Sequence, residues 1–222
     1  MKIKLLVVAI TVIILTVLSI MGFYVYKQII KPEAKENVPA TTGEAEPESP
    51  SNGGEEIIGE TVLLKDDFEI TLPPGWQEAT TPPEGILAMA IDGKEDISEG
   101  VFQKLDFRTN FSVKRDDMKK YANFNNLGDY ITSIKTSLVQ MVPGISFVQE
   151  EQKVIDGRRA ILIECSSRQE EADFKTLLVF VEDSDSIVYA ISFNTFQSSW
   201  ASYRDTFYRI AESFKLKYKI EL

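Results

Sequence analysis

Histidine is absent from this 222-residue chain, and cysteine occurs once, at Cys165. Without imidazole there is no Ser-His-Asp or Cys-His pair, no HExxH zinc site, and no side chain that ordinarily changes charge between about pH 5 and 8. Most common hydrolase mechanisms are thereby excluded. A lone thiol closes no internal disulfide, so the fold rests on packing in any redox compartment. Positive charge is also scarce: the net charge is −10. Residues 1–31 hold Lys2, Lys4, Lys27 and Lys31 and no acid, so the remainder is more acidic still. An acidic surface repels phosphate backbones, and no nucleic-acid partner is expected.

What is present begins with an uncharged apolar run from Leu5 to Tyr26. As a helix rising about 1.5 Å per residue it spans roughly 33 Å, enough for a bilayer core that needs about 20 apolar residues. The run exceeds the apolar part of a cleaved signal peptide, about 7 to 15 residues, and no A-x-A site precedes Lys27, although Ser19 and Gly22 leave weak cleavage as an alternative. No cysteine follows to take a lipid. The expectation is a single-pass anchor with flanks over 1–31, N-terminus inside and the rest extracytoplasmic at the cell membrane. The basic head of Lys2 and Lys4 favours that orientation, while Lys27, Lys31 and Lys35 nearly balance the positive-inside count.

Residues 32–56 are rich in proline, glycine and glutamate and almost empty of apolar side chains. Such a segment buries too little to order itself and reads as a disordered acidic tether. Its mean reach as a flexible chain is about 25 to 30 Å, lengthened by glutamate repulsion. Residues 57–222 then form one globular domain, long enough for a real core.

Inside the domain the pattern is first period two. Phe68, Ile70 and Leu72 alternate with Asp67, Glu69 and Thr71, a half-buried strand closed by Pro73-Pro74-Gly75, with Trp76 just past the turn. Two more strands are expected over Ile86–Ile91 and Phe107–Val113, around a loop at 92–100. Leu127, Tyr130, Ile131, Ile134, Leu138 and Met141 follow helical spacing up to Pro143-Gly144. A hairpin turns at Asp156-Gly157 between Ile145–Ile155 and Arg159–Ser166. Phe174–Val181 and Ile187–Asn194 are apolar on both faces and need cover on both. One layer is expected from a helix bearing Trp200, Tyr203, Phe207, Ile210 and Phe214, the other from the helix at 127–141. The class is α+β: an α/β/α sandwich on a mainly antiparallel sheet.

Four stretches resemble the Mog1/PsbP-like family: LPPGW at Leu72–Trp76, VIDGRRAILIE at Val154–Glu164, VYAISFNT at Val188–Thr195 and IAESFKL at Ile210–Leu216. The resemblance covers about residues 60–217 and implies an antiparallel sheet between helices. It is a likeness of fold rather than of site. The family includes an extrinsic photosystem II subunit, a Ran-binding nuclear import factor and exported bacterial lipoproteins, so the resemblance implies binding to other proteins. This chain departs from the photosynthetic branch in its apolar run and acidic tether, and from the lipoproteins in lacking an acylated cysteine. No site residue carries across.

Several groups invite a site. Asp92, Glu95 and Asp96 in one loop, and Glu182, Asp183 and Asp185 in another, could offer oxygen ligands to Ca²⁺, but neither fits the EF-hand spacing, and solvated turn charges are the expected reading. No facing carboxylate pair for glycoside hydrolysis is evident, so an enzyme is the least expected class. Cys165 reads as a small buried residue rather than a redox thiol. Lys114, Arg115, Lys119 and Lys120 form the one basic cluster, interleaved with Asp116 and Asp117 and close to Tyr121 and Phe124; they are the candidate contacts to a partner or to anionic headgroups, against a solvated loop. Trp200 and the stripe at Tyr203, Phe207 and Phe214 read as core. No catalytic residue, metal or cofactor is expected. The reading is a membrane-tethered protein-binding domain, an assembly or stability factor for an envelope or membrane complex with an unidentified protein partner. The alternative is a module holding a lipid or small apolar ligand between sheet and helix.

Overall fold

The computed structural model describes residues 59–98, 100–105, 107–120, 124, 126–169, 172–184 and 186–217. The expected membrane run at 5–26, the tether at 32–56, and residues Tyr121 and Asp185 lie outside them. Among the described residues no helix is long and apolar enough to cross a membrane.

The chain opens with β1 (Thr61–Leu64), β2 (Phe68–Leu72), β3 (Trp76–Glu78) and β4 (Ala88–Asp92). A short helix α1 (Gly100–Leu105) and β5 (Asn110–Asp117) precede α2 (Leu127–Met141). A meander follows of β6 (Ser146–Ile155), β7 (Arg158–Gln169), β8 (Ala172–Glu182) and β9 (Ile187–Phe196), closed by α3 (Trp200–Glu212) and β10 (Lys215–Leu216). Seven strands form one antiparallel sheet in the order β3-β4-β5-β9-β8-β7-β6, and a smaller sheet runs β1-β2-β10.

Local chemistry sets the element ends. Asn126 caps α2, its side chain accepting from the Asp129 amide, which satisfies one of the orphan donors of a first helical turn. Asp156 (φ 52) and Gly157 (φ 73) both take the left-handed turn that matches hairpin twist, as Asp-Gly requires. Gly75 (φ 91) lets the chain reverse after Pro74, and a Cβ there would meet the Lys94 side chain.

Both faces of the main sheet are covered, as its apolar strands demand. On one face Phe207, Ile210 and Ala211 of α3, with Phe68, Ile70 and Leu72 of β2, pack on Phe111, Val179, Ile191 and Phe193. On the other, Leu127, Tyr130, Ile131, Ile134 and Leu138 of α2 pack on Ile161, Ile163, Leu178, Phe180 and Ala190. A smaller aromatic cluster of Phe107, Phe174 and Phe196 sits under Phe102 of α1.

Three details differ from the sequence expectation. The Phe68–Leu72 strand joins the small sheet, because its partners are β1 and β10. The strand expected from Phe107 begins at Asn110, Phe107 instead filling the aromatic cluster beneath α1, a helix that follows the loop expected at 92–100. The last helix ends at Glu212, and Phe214 enters the core from the turn beyond it.

Candidate functional site

Of the four grouped cations, Lys114 and Arg115 lie on opposite faces of one strand. Side chains alternate along a strand, so Lys114 of β5 shares its face with Ser112 and Asp116, whereas Arg115 shares the opposite face with Val113. Burial draws Lys114 below the usual lysine range, opposed by Asp116 and reinforced by Lys120. Lys119 and Lys120 stand exposed on the 3-10 turn Met118–Lys120. Strand alternation thus divides Arg115 from Lys114, a division that proximity in sequence hides.

Arg115 instead faces a cleft of about 400 Å³, lined also by Asp67, Arg158, Asp183, Tyr189, Leu216 and Lys217. Arg158 Nη1 lies 2.8 Å from Asp183 Oδ1, and Lys217 Nζ donates to the Lys65 carbonyl at 2.8 Å. Burial lifts the Tyr189 hydroxyl above its ordinary pKa, helped by Asp67 and Asp183 and opposed by Arg115. Cations and carboxylates offset one another across these walls, which therefore suit a polar group rather than a hydrocarbon chain.

The first acidic loop is built into the fold. Asp92 accepts from the Tyr203 hydroxyl at 2.6 Å and from the Lys94 amide at 2.9 Å. Glu95 accepts from the Thr109 amide and from Thr109 Oγ1 at 2.7 Å, and Thr109 Oγ1 meets Thr195 Oγ1 at 2.8 Å. Asp96 caps the Ser98 amide at 2.9 Å. The solvated reading is corrected for Glu95, which is half-buried because it satisfies a buried threonine. Among the described residues no cluster of three or more Cys, Asp or Glu side chains is placed to hold a metal ion.

Burial raises the Glu95 carboxyl pKa, with the Thr109 bonds opposing. The folded chain then holds this proton at a pH where the unfolded chain has released it. The group's contribution to stability therefore falls as pH rises from the ordinary carboxylate range through the folded pKa. Denaturant melts at pH values rising from the ordinary carboxylate range should show this loss in the parent chain and not in Glu95→Gln.

Cys165 is 4% exposed, and burial pushes its thiol up to about 12. At pH 8 that leaves about one thiolate in ten thousand. Iodoacetamide should leave the native protein unlabelled and label it fully in denaturant.

Beside it, on the opposite face of β7, lies a polar group that sequence reasoning missed. Glu164 accepts from Arg204 Nε at 2.8 Å and the Tyr208 hydroxyl at 3.0 Å, and its Oε2 lies 3.8 Å from Lys175 Nζ. Lys175 also reaches Ser166 Oγ at 3.3 Å and sits 5.4 Å from the centre of the Trp200 ring. The available signal was Lys175 inside a strand otherwise apolar on both faces, a placement that demands a buried partner. Trp200, Phe207 and Phe214 are core as expected, while Tyr203 is half-buried with its hydroxyl on Asp92.

The other feature of the surface is apolar. Val62 and Leu64 of β1 are 51% and 62% exposed, and Leu87 is 36% exposed. Leu64 and Leu87 line one shallow depression with Lys65, Asp66, Asp67 and Phe68. Alternation puts Val62 on the same side of β1 as Leu64.

An antiparallel sheet between helical layers, with a small three-stranded sheet beside it, defines an α+β domain of the Mog1/PsbP type. The chain belongs to the PsbP family, whose model matches residues 64–216. Among solved structures it is similar to LpqN of Mycobacterium tuberculosis, at 8% identity and a TM-score of 0.52, over 72% of this chain and 91% of that one. It is similar too to cyanobacterial PsbP of Synechocystis, at 15% identity and a TM-score of 0.48, over 76% and 98%. Yeast Mog1p, from Saccharomyces cerevisiae, matches at 10% identity and a TM-score of 0.47, over 72% and 96%. No curated protein sequence matches the chain.

Proposed function

We propose that this chain is a membrane-tethered, extracytoplasmic protein-binding domain that performs no catalysis and serves as an assembly or stability factor for an envelope or membrane complex. The observation that carries the binding role is the exposed apolar surface of Val62, Leu64 and Leu87. Val139, Val148 and Val154 are exposed as well, but Leu64 and Leu87 share one depression, and covering aliphatic side chains grouped in this way lowers the free energy. The tether is argued from the uncharged run at Leu5–Tyr26 and the acidic linker after it. An envelope setting accords with LpqN, described as involved in cell envelope biogenesis. Against the apolar-ligand alternative stands the charged lining of the Arg115 cleft. Against catalysis stand the missing histidines and the engagement of Asp92, Glu95 and Glu164 in structural bonds.

The test is crosslinking of the full-length chain in its native membrane, with a chain lacking residues 5–26 as control. Reproducible capture of one membrane or envelope complex, lost with the deletion, supports the proposal. Copurification of a lipid in place of any protein replaces it with the ligand-binding module.

A further inference from the structure

We infer that the outer edge of β1 is a strand-addition site for an extended segment of a partner protein, apolar at alternate positions and flanked by basic residues. The inference rests on the protein-binding reading and specifies its surface and chemistry.

The backbone geometry comes first. Lys65 N donates to the Phe68 carbonyl at 2.9 Å, and the β1–β2 pairing continues through Leu63↔Ile70 and Thr61↔Leu72. Hydrogen-bonded and non-bonded pairs alternate along an antiparallel ladder. Leu63 and Thr61 therefore turn their amides and carbonyls toward β2, and Val62 and Leu64 turn theirs outward. The partner side of β2 agrees, since the Thr71 amide, opposite Val62, points away from β1 to Ser213 Oγ at 2.9 Å. Among the described residues no strand pairs with this outer edge. The residues offering outward backbone groups are thus the ones whose aliphatic side chains stand in water.

Edges of this kind are normally blunted by charge, proline or a bulge. The edge strand β6 shows how: it carries Glu150, Glu151 and Lys153 and a register shift between Phe147 and Gln149. β1, with the sequence TVLL, carries none of these and is guarded only by its four-residue length. An added strand would gain the backbone bonds and bury Val62 and Leu64.

Charge selects the occupant. Glu60 stands at one end of β1 and Asp66 and Asp67 at the other, while Lys65 is bonded to Glu78. A basic flank on the incoming segment meets acid at each end. A second copy of this chain does not: the two-fold antiparallel register that stacks Val62 of one copy on Leu64 of the other sets Glu60 against Asp66 at both ends, and like charges directly opposite repel.

The substitution Val62→Pro removes the outward donor without touching the ladder to β2, and Leu64→Thr keeps the backbone while removing the aliphatic group. Both should melt within a few degrees of the parent. The probe is a synthetic peptide of alternating valine and threonine with lysines at both ends, added to the full chain in detergent. It should slow hydrogen exchange at Val62 and Leu64, bind about tenfold more weakly to Val62→Pro, and fail when its lysines become glutamates. No protection at these two amides at millimolar peptide overturns the inference, as does equal binding of both peptides. A dimer of the full chain that Val62→Pro dissolves replaces the foreign strand with a second copy. In native-membrane crosslinking, capture that survives both substitutions leaves protein binding standing and sinks the edge; no protein capture by the parent chain sinks both.

Discussion

Glu164→Ala should lower the unfolding free energy by about 3–5 kcal/mol, the range for breaking a buried ion pair from one side. The size comes from what is left behind. Lys175 has a side chain only 5% exposed, and Glu164 is the carboxylate it approaches. Arg204, 39% exposed, can turn to water when the carboxylate goes, whereas Lys175 cannot without opening the sheet. Lys175→Met should therefore cost much less than Glu164→Ala, because Glu164 keeps Arg204 and Tyr208. The double variant should recover most of the loss, since an apolar replacement of both partners leaves no orphaned charge. Urea melts of the four proteins decide it: additive single losses would mean that the pair is uncoupled.

Phe207→Ala should cost about 3–5 kcal/mol, the usual range for emptying a buried aromatic site. Phe207 is fully buried and stands among four rings, 5.1 Å from Phe193, 5.8 Å from Tyr203, 5.9 Å from Trp200 and 6.3 Å from Trp76. Those rings come from α3, β9 and β3, so the void opens where three elements meet, and no one of them can relax to fill it. Val139→Ala, on the exposed side of α2, should change stability by less than about 0.5 kcal/mol. Thermal melts of both variants give the comparison.

Much of the fold was legible because its strands and helices differ in period. Leu127 to Met141 could only bury its apolar side as a helix, and Asp156-Gly157 announced the hairpin it makes. Phe174–Val181 and Ile187–Asn194, apolar on both faces, required a layer on each side, which α2 and α3 supply. Less legible were relations between distant residues. The division of Lys114 from Arg115 follows from alternation once β5 is placed, but extending that strand to Asp117 depends on its pairing with β9. That Glu95 serves Thr109 depends on the path of a loop, which composition does not encode. The exposed edge at Val62 and Leu64 was hidden for another reason: TVLL is four residues long and carries none of the charge, proline or bulge that marks an edge such as β6.

The small sheet is begun by β1 and β2 and finished by β10, whose Lys215 and Leu216 pair with Glu69 and Phe68. The opening and closing elements of the domain must meet before either is complete. A ribosome delivering this domain has thus handed over nearly all of it before the hairpin at its start can be sealed, and contacts so distant in sequence form late. Until Lys215 and Leu216 emerge, the side of β2 that they cover has no neighbouring strand, so the opening hairpin waits half-clad for the last residues of the domain.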